Sequence, residues 1–161
     1  MTFREMRRIK QQLTDQEIKD ILIRNTCGTL ALLGDEGYPY CVPLSYVYDD
    51  NKFYFHSAKT GHKIEAIKNY EKASFAIIDK YELVPEEYTA YFRSVIAFGK
   101  VKLLEDPQEI RFALDLLGKK VRPGFEKERL NEVNISLPKV SIIEFTIEHK
   151  SGKESIELRN R

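Results

Sequence analysis

Phe53-Tyr54-Phe55-His56-Ser57-Ala58-Lys59-Thr60-Gly61-His62-Lys63 passes from an aromatic run through a small-residue turn into a basic stretch. Phe53, Tyr54 and Phe55 suit a pleated, half-buried strand, and the residues from His62 to about Asn69 carry apolar positions at helical spacing. The first-turn N–H groups of such a helix lack intrahelical acceptors, and its dipole is positive at that end. Ser57, Lys59, His62 and Lys63 therefore gather where an anion, above all the phosphate of a ligand, would be held. An ordinary strand-to-helix crossover with solvated lysines accounts for the same residues, so the remainder of the chain has to decide.

Upstream, Leu13-Thr14-Asp15-Gln16-Glu17-Ile18 has the form of a capping box with a hydrophobic staple, and a first helix is expected to run to about Arg24. Cys27 to Leu33 reads as a strand, Gly34-Asp35-Glu36-Gly37 as a turn, and Tyr38 to Tyr48 as the returning strand. Asp49-Asp50-Asn51-Lys52 then turns into the Phe53 strand, which predicts an antiparallel meander of three strands. Pro39 and Pro43 supply no ladder donor, so the second strand should be incompletely paired. The amides of Leu44 and Ser45 are then available to a ligand, although a plain edge strand explains the prolines equally well.

Downstream, a fourth strand is expected over Ala73 to Asp79, a polar loop over Tyr81 to Glu87, and a long strand over Tyr88 to Leu104 with a bulge or bend at Gly99. Glu105-Asp106-Pro107 opens a helix that Gly118 should stop. Lys119 to Pro138 is polar and irregular and is left without an assigned element, with one more helical turn expected near Glu126 to Val133. Val140 to Ile147 reads as the last strand. The pattern predicts a mainly β protein: an antiparallel barrel of about six strands with peripheral helices, one domain over residues 1–161.

The composition narrows the functional classes. The chain has 161 residues, 42% hydrophobic, with a formal net charge of +1. A single domain of this size buries a real core, and the near balance of charge gives no global field for nucleic acid. Cys27 and Cys41 have no metal-site or redox spacing and read as buried free thiols, which suits the cytoplasm. No stretch has the roughly 18 apolar residues of a membrane span. The histidines His56, His62 and His149 lack the grouped partners of a zinc site, so no metal is expected. There is no nucleophile elbow, phosphate loop of the Walker type or Rossmann fingerprint.

The blocks Phe3-Arg4-Glu5-Met6-Arg7-Arg8, Gly28 to Leu32, Tyr38-Pro39-Tyr40, Val42-Pro43, Ser45 to Tyr48, Tyr54 to Ala58, Gly61-His62-Lys63, Glu87-Tyr88-Thr89, Tyr91 to Lys100, and Gly152-Lys153-Glu154 with Ile156-Glu157-Leu158 occur in this order. Together they resemble a flavin-binding split barrel of the pyridoxamine 5′-phosphate oxidase-like superfamily, and within it the nitroimidazole resistance proteins. The resemblance implies flavin mononucleotide (FMN) at the interface of a homodimer. It places Val42, Pro43, Leu44 and Ser45 beside the isoalloxazine and His56, Ser57 and Ala58 beside the ribityl chain and phosphate. His62 and Lys63 fall at two basic phosphate ligands, with His62 in place of an arginine and Lys59 nearby to compensate. Arg93 and Ser94 fall on the strand that reaches the opposite subunit's site.

The implied activity is reduction of a planar nitroaromatic, with a reduced nicotinamide as a possible donor and His56 as the proton source. A carrier or sensor that binds flavin or haem without turnover is the rival from another class. Oxidation of a vitamin B6 phosphate is a third; only Arg7 and Arg8 offer a further basic cluster for its phosphate.

Overall fold

The computed structural model describes residues 2–160. Helix α1, Asp15–Arg24, begins at the expected capping box: the Glu17 N–H donates to Thr14 Oγ1 at 3.3 Å, and the Thr14 N–H donates to Glu17 Oε2 at 2.7 Å. Leu13 and Ile18 are both buried in the same cluster. Seven strands follow: β1 Cys27–Leu33, β2 Pro39–Ser45, β3 Val47–Asp49, β4 Lys52–Ser57, β5 Lys72–Val84, β6 Thr89–Leu103 and β7 Ser141–Glu154. The helices after α1 are α2 His62–Asn69, α3 Pro107–Val121, α4 Glu126–Ser136 and the short α5 Ile156–Arg159. None of the described helices is long and apolar enough to cross a membrane.

All pairings are antiparallel, in the order β2-β1-β5-β6-β7-β4-β3. The two ends of that order, β2 and β3, are separated in the chain by Tyr46 alone. A flat sheet of this order cannot have its outermost strands joined by one residue, so the sheet rolls until its edges meet. The result is a barrel with a split along the line where β2 and β3 diverge. Tyr46 itself is buried at the join, with its hydroxyl donating to Leu22 O at 2.8 Å.

The barrel interior is aromatic. Phe53 and Phe55 of β4 meet Phe75 of β5 at centroid distances of 4.9 and 5.0 Å, and all three are fully buried. Each such phenylalanine contributes roughly 1.5–3 kcal/mol over exposure. Ile18, Ile21 and Leu22 of α1 close one end, and Ala66 and Ile67 of α2 close the other. A second core lies outside the barrel, where α3 and α4 lay Leu114, Leu117 and Val133 against Tyr54 and Ile142. The opposite outer face, over β1, β2, β5 and β6, carries exposed Ile78, Ile96 and Phe98. Phe3 stacks on its margin, 5.7 Å from Phe98 and 4.6 Å from His149.

Several sequence expectations are corrected. Seven strands among the described residues agree with the expected barrel of about six, but the stretch read as one strand over Tyr38 to Tyr48 is cut at Tyr46 into β2 and β3, which pair with different neighbours. The three-strand meander is therefore absent: β4 pairs with β3 and β7, never with β2. Residues 81–84 continue β5 instead of forming a loop; this end of the β5–β6 hairpin is solvated on both faces, so no alternation marks it. Gly118 lies inside α3, where a side chain would come within 2.9 Å of Arg129 Cγ on α4; it serves close helix packing and does not end the helix. The unassigned span holds α4, and β7 runs on to Glu154. Cys27 and Cys41 are exposed, since both fall on outward positions of their strands. The bulge at Gly99 is present as a register shift between Phe98 and Gly99.

Candidate functional site

Two hydrogen bonds fix which edge of β2 is in use. At the ends of its ladder with β1, the Gly34 N–H donates to Tyr38 O at 2.8 Å and the Tyr46 N–H to Thr26 O at 3.1 Å. Only alternate residues of an antiparallel pair exchange bonds. With Leu32 opposite Tyr40, Leu30 opposite Val42 and Gly28 opposite Leu44, the even-numbered residues of β2 turn toward β1. Pro39, Cys41, Pro43 and Ser45 turn toward the split. The prolines thus lack their N–H on the side where no ladder partner waits. Of the two amides expected to be available, that of Leu44 belongs to the ladder, and that of Ser45 faces the open edge. The side chains of Val42 and Leu44 pack on the barrel core.

The same reasoning fixes β4. The Ile147 N–H donates to Asn51 O at 3.1 Å, so the odd residues of β4 turn toward β7 and the even ones toward β3. The β3 ladder ends at Val47 opposite Tyr54. His56 is the next even residue, and continuation would set Ser45 across from it. Because the chain dives inward at Tyr46, that pair never forms. Ser45 on one lip and His56 on the other present backbone groups across the seam without a strand between them.

The seam runs toward the start of α2. There Gly61, at φ 126, precedes the helix and no side chain caps it. The Ile64 and Glu65 N–H groups both return to Gly61 O, at 3.0 and 3.2 Å, which leaves the amides of His62 and Lys63 without an acceptor among the described residues. Ser57 is only 5% exposed and its hydroxyl has no hydrogen-bond partner among the described residues. An unpaired buried hydroxyl costs roughly 1–3 kcal/mol, which a polar ligand atom accepting from it would recover. Lys59 is exposed and Lys63 half-buried, neither in an ion pair among the described residues, and Ala58 is exposed between them and the strand. His62 is engaged: its ring stacks on Tyr40 at 4.0 Å, and Nε2 lies 3.6 Å from the Asp35 carboxylate. An orphan hydroxyl, two unbonded helix-start amides and two lysines suit a terminal phosphate.

His56 has a second aspect. Its side chain alternates with Tyr54 onto the helical layer and lines a cavity of about 520 Å³ with Leu117, Val121, Phe125 and Val133 of α3, α4 and their connection. Tyr54 lies in the core next to it, and burial, aided by the Glu144 carboxylate, pushes its phenol up to about 12.

Arg93 and Ser94 lie apart from this group, on β6. Arg93 donates to Glu154 at 2.8 Å and to Asp79 at 3.2 Å. Asp79 also receives Arg24 and Asn25, each at 2.7 Å, and Glu154 receives Arg159, which reaches Glu17 at 2.6 Å. Burial alone would raise the Asp79 pKa, but the hydrogen bonds from Arg24, Asn25 and Arg93 outweigh it and hold the carboxyl below its ordinary value. The charge of Arg93 is thus compensated within its own chain. Sequence reasoning missed this network, whose members are single charges far apart in the chain. It also missed Lys120, which reaches from α3 to the Asn25 carbonyl with its ammonium 4.4 Å from the Tyr46 ring centroid; burial lowers its pKa.

The family model described as pyridoxamine 5′-phosphate oxidase matches residues 14–154. No curated protein matches the chain. Solved structures do. A FAD-binding protein from Mesorhizobium loti is 25% identical with a TM-score of 0.65, covering 90% of this chain and 97% of that one. A Bacteroides thetaiotaomicron protein provisionally named for 5-nitroimidazole antibiotic resistance is 24% identical with a TM-score of 0.74, covering 89% and 86%. A conserved hypothetical protein from Mycobacterium tuberculosis reaches a TM-score of 0.81 at 17% identity, covering 93% and 90%. The last two likenesses speak for the fold. Matched over residues 14–154, the chain belongs to the pyridoxamine 5′-phosphate oxidase family.

Proposed function

We propose that this protein is an FMN-dependent oxidoreductase that reduces nitroaromatic compounds, working as a cytoplasmic homodimer. The observation that carries the flavin reading is the unpaired seam between Ser45 and His56, which ends at an orphan Ser57 hydroxyl and the uncapped start of α2. When bound, a flavin supplies the electron transfer, which no side chain of this protein performs. Pro43 and Ser45 line one lip of the seam, with Val42 and Leu44 packed behind them on the barrel core, and the Ser45 N–H would donate across the seam to an acceptor that gains negative charge on reduction. Ser57, Lys59, Lys63 and the first amides of α2 hold the phosphate, while Ala58 leaves room for the chain that leads to it. His62, drawn toward Asp35 and Tyr40, orients the β1–β2 turn over this end. His56 delivers a proton to the reduced substrate as a general acid.

The dimer reading rests on the uncovered face that carries Ile78, Ile96 and Phe98 together with the outward positions of β1 and β2. Pairing two such faces buries them and brings Arg93 and Ser94 of a second copy toward the seam. FAD, named for the Mesorhizobium loti relative, is the second ligand reading. A reduced nicotinamide is the proposed donor.

The test is anaerobic stopped-flow: reduce the flavin-loaded protein, add a 5-nitroimidazole, and compare reoxidation with free reduced FMN and with His56→Ala. Faster reoxidation that slows in His56→Ala supports the reading. Reoxidation no faster than free reduced FMN favours a carrier without turnover.

A further inference from the structure

The chain that runs from β2 into β3 changes partners at Tyr46: before it β2 pairs with β1, and after it β3 pairs with β4. Lys120, in the last turn of α3, enters at this point. Its ammonium donates to Asn25 O, just ahead of β1, and lies 4.4 Å from the Tyr46 ring centroid. The other polar side-chain contacts of α3 and α4 stay within the two helices and their caps: Arg111 with Asn134, Lys119 and Arg129 with Asp115, Arg129 with Glu126, and Ser136 with Glu132. Among the described residues, Lys120 is therefore the one polar side-chain tie from this helical layer to the half of the barrel that holds α1 and β1. It makes no ion pair there, and burial lowers its pKa. Closing the contact strips water from an ammonium and returns one carbonyl and one ring face, gains that the desolvation of an uncompensated cation offsets. Such a contact is poised to release.

We propose that residues 118–136, the last turn of α3 with its link and α4, form a lid over the cavity beside His56, and that Lys120 is the latch that holds it shut. The two ends of α3 are seated differently. Ala113 and Leu114 share a buried cluster with Tyr54 and Ile142, which fixes the early turns on the sheet. Past Leu117 the helix depends on Lys120. In α4 only Val133 is buried, and Arg129 ties that helix to α3 by donating to Asp115 at 2.7 Å and packing across Gly118, so α4 follows the end of α3. A segment with few buried apolar residues opens at lower free energy than the core on which it rests. The cavity of about 520 Å³ lies beneath it, with Leu117, Val121, Phe125 and Val133 on the helical side and His56 on the strand side. Release of Lys120 frees the helical wall and leaves the strand wall in place. That the lid admits a substrate to His56 rests on the proposed function; the latch and the opening do not.

Amide hydrogen exchange on the full chain, read by mass spectrometry, tests the latch. In Lys120→Met, peptides from residues 118–136 should exchange at least about tenfold faster than in wild type, with those of β5 and β6 unchanged. Lys120→Gln, shorter and uncharged, should do the same, and Lys120→Arg, which keeps the charge and can stack on Tyr46, should stay close to wild type. A cysteine placed at Leu117, with Cys27 and Cys41 replaced by serine, reads the cavity: iodoacetamide should alkylate it faster when residue 120 is methionine or glutamine. Unchanged exchange over residues 118–136 in both uncharged variants overturns the latch, as does equal acceleration throughout the barrel, because Lys120 would then hold the whole fold. Faster exchange without faster alkylation overturns the lid. No arm uses a flavin, so a protein that opens as described but takes up no FMN upholds the lid and removes the flavin reading.

Discussion

Replacing Ser57 by alanine separates folding from ligand binding at one atom. The Ser57 hydroxyl is buried in a residue 5% exposed and has no partner among the described residues, so folding strips its water and returns no hydrogen bond. Desolvation of such a group costs roughly 1–3 kcal/mol, and alanine keeps the Cβ while removing it. The small void left by one oxygen offsets part of the gain, which leaves a net stabilisation of about 1 kcal/mol in the ligand-free protein. For a domain of this size that is a rise in Tm of about 2–4 °C. With FMN bound the sign reverses, because the hydroxyl then has a phosphate or ribityl oxygen to donate to, and its loss weakens binding by about 1–3 kcal/mol. Thermal unfolding of wild type and Ser57→Ala, each with and without saturating FMN, reads both effects. Equal destabilisation of Ser57→Ala in both states would refute the reasoning, because the hydroxyl would then be satisfied inside the protein.

Lys63→Ala should weaken FMN binding by about 1–3 kcal/mol if the ammonium makes a charge-assisted bond to phosphate, measured by quenching of flavin fluorescence; an unchanged Kd assigns Lys63 to the solvated surface. Asp79→Asn should lower the Tm at pH 7, because Asp79 joins α1, β5 and β6 through Arg24, Asn25 and Arg93. Its folded pKa lies below the unfolded value near 3.9, so its contribution is present above that value and is lost as pH falls through the lower folded pKa. The Tm gap between wild type and Asp79→Asn should therefore close in acid, and a gap independent of pH would contradict the ion-pair account. Gly99→Ala should cost roughly 1–3 kcal/mol, since the new Cβ would lie 2.0 Å from Thr146 O and 2.6 Å from the Phe145 ring, and the bulge would have to shift; urea midpoints check it.

How much of this was legible in the sequence depends on the range of the interaction involved. The capping box at Thr14 and the helix from His62 to Asn69 are set by neighbours three and four residues apart, and both were read correctly. The break at Tyr46 was not, because Ser45-Tyr46-Val47 is locally good strand, and only the opposite positions of β2 and β3 in the sheet order require a turn there. Pro39 and Pro43 carried real information, since their missing N–H groups mark the edge that faces the seam. They said nothing of the parity that divides Leu44 from Ser45. The polar surface of α4 concealed the helix, and with it the wall of the cavity beside His56. The ion-pair chain from Arg24 to Arg159 spans most of the sequence and has no local signature.

The most direct test of the central claim is to denature the purified protein, identify the released flavin by chromatography, and count it against protein after reconstitution with excess FMN. One FMN per chain is expected, held by a dimer in light scattering, with FAD taken up less tightly. A colourless protein that fails to take up added FMN would contradict it.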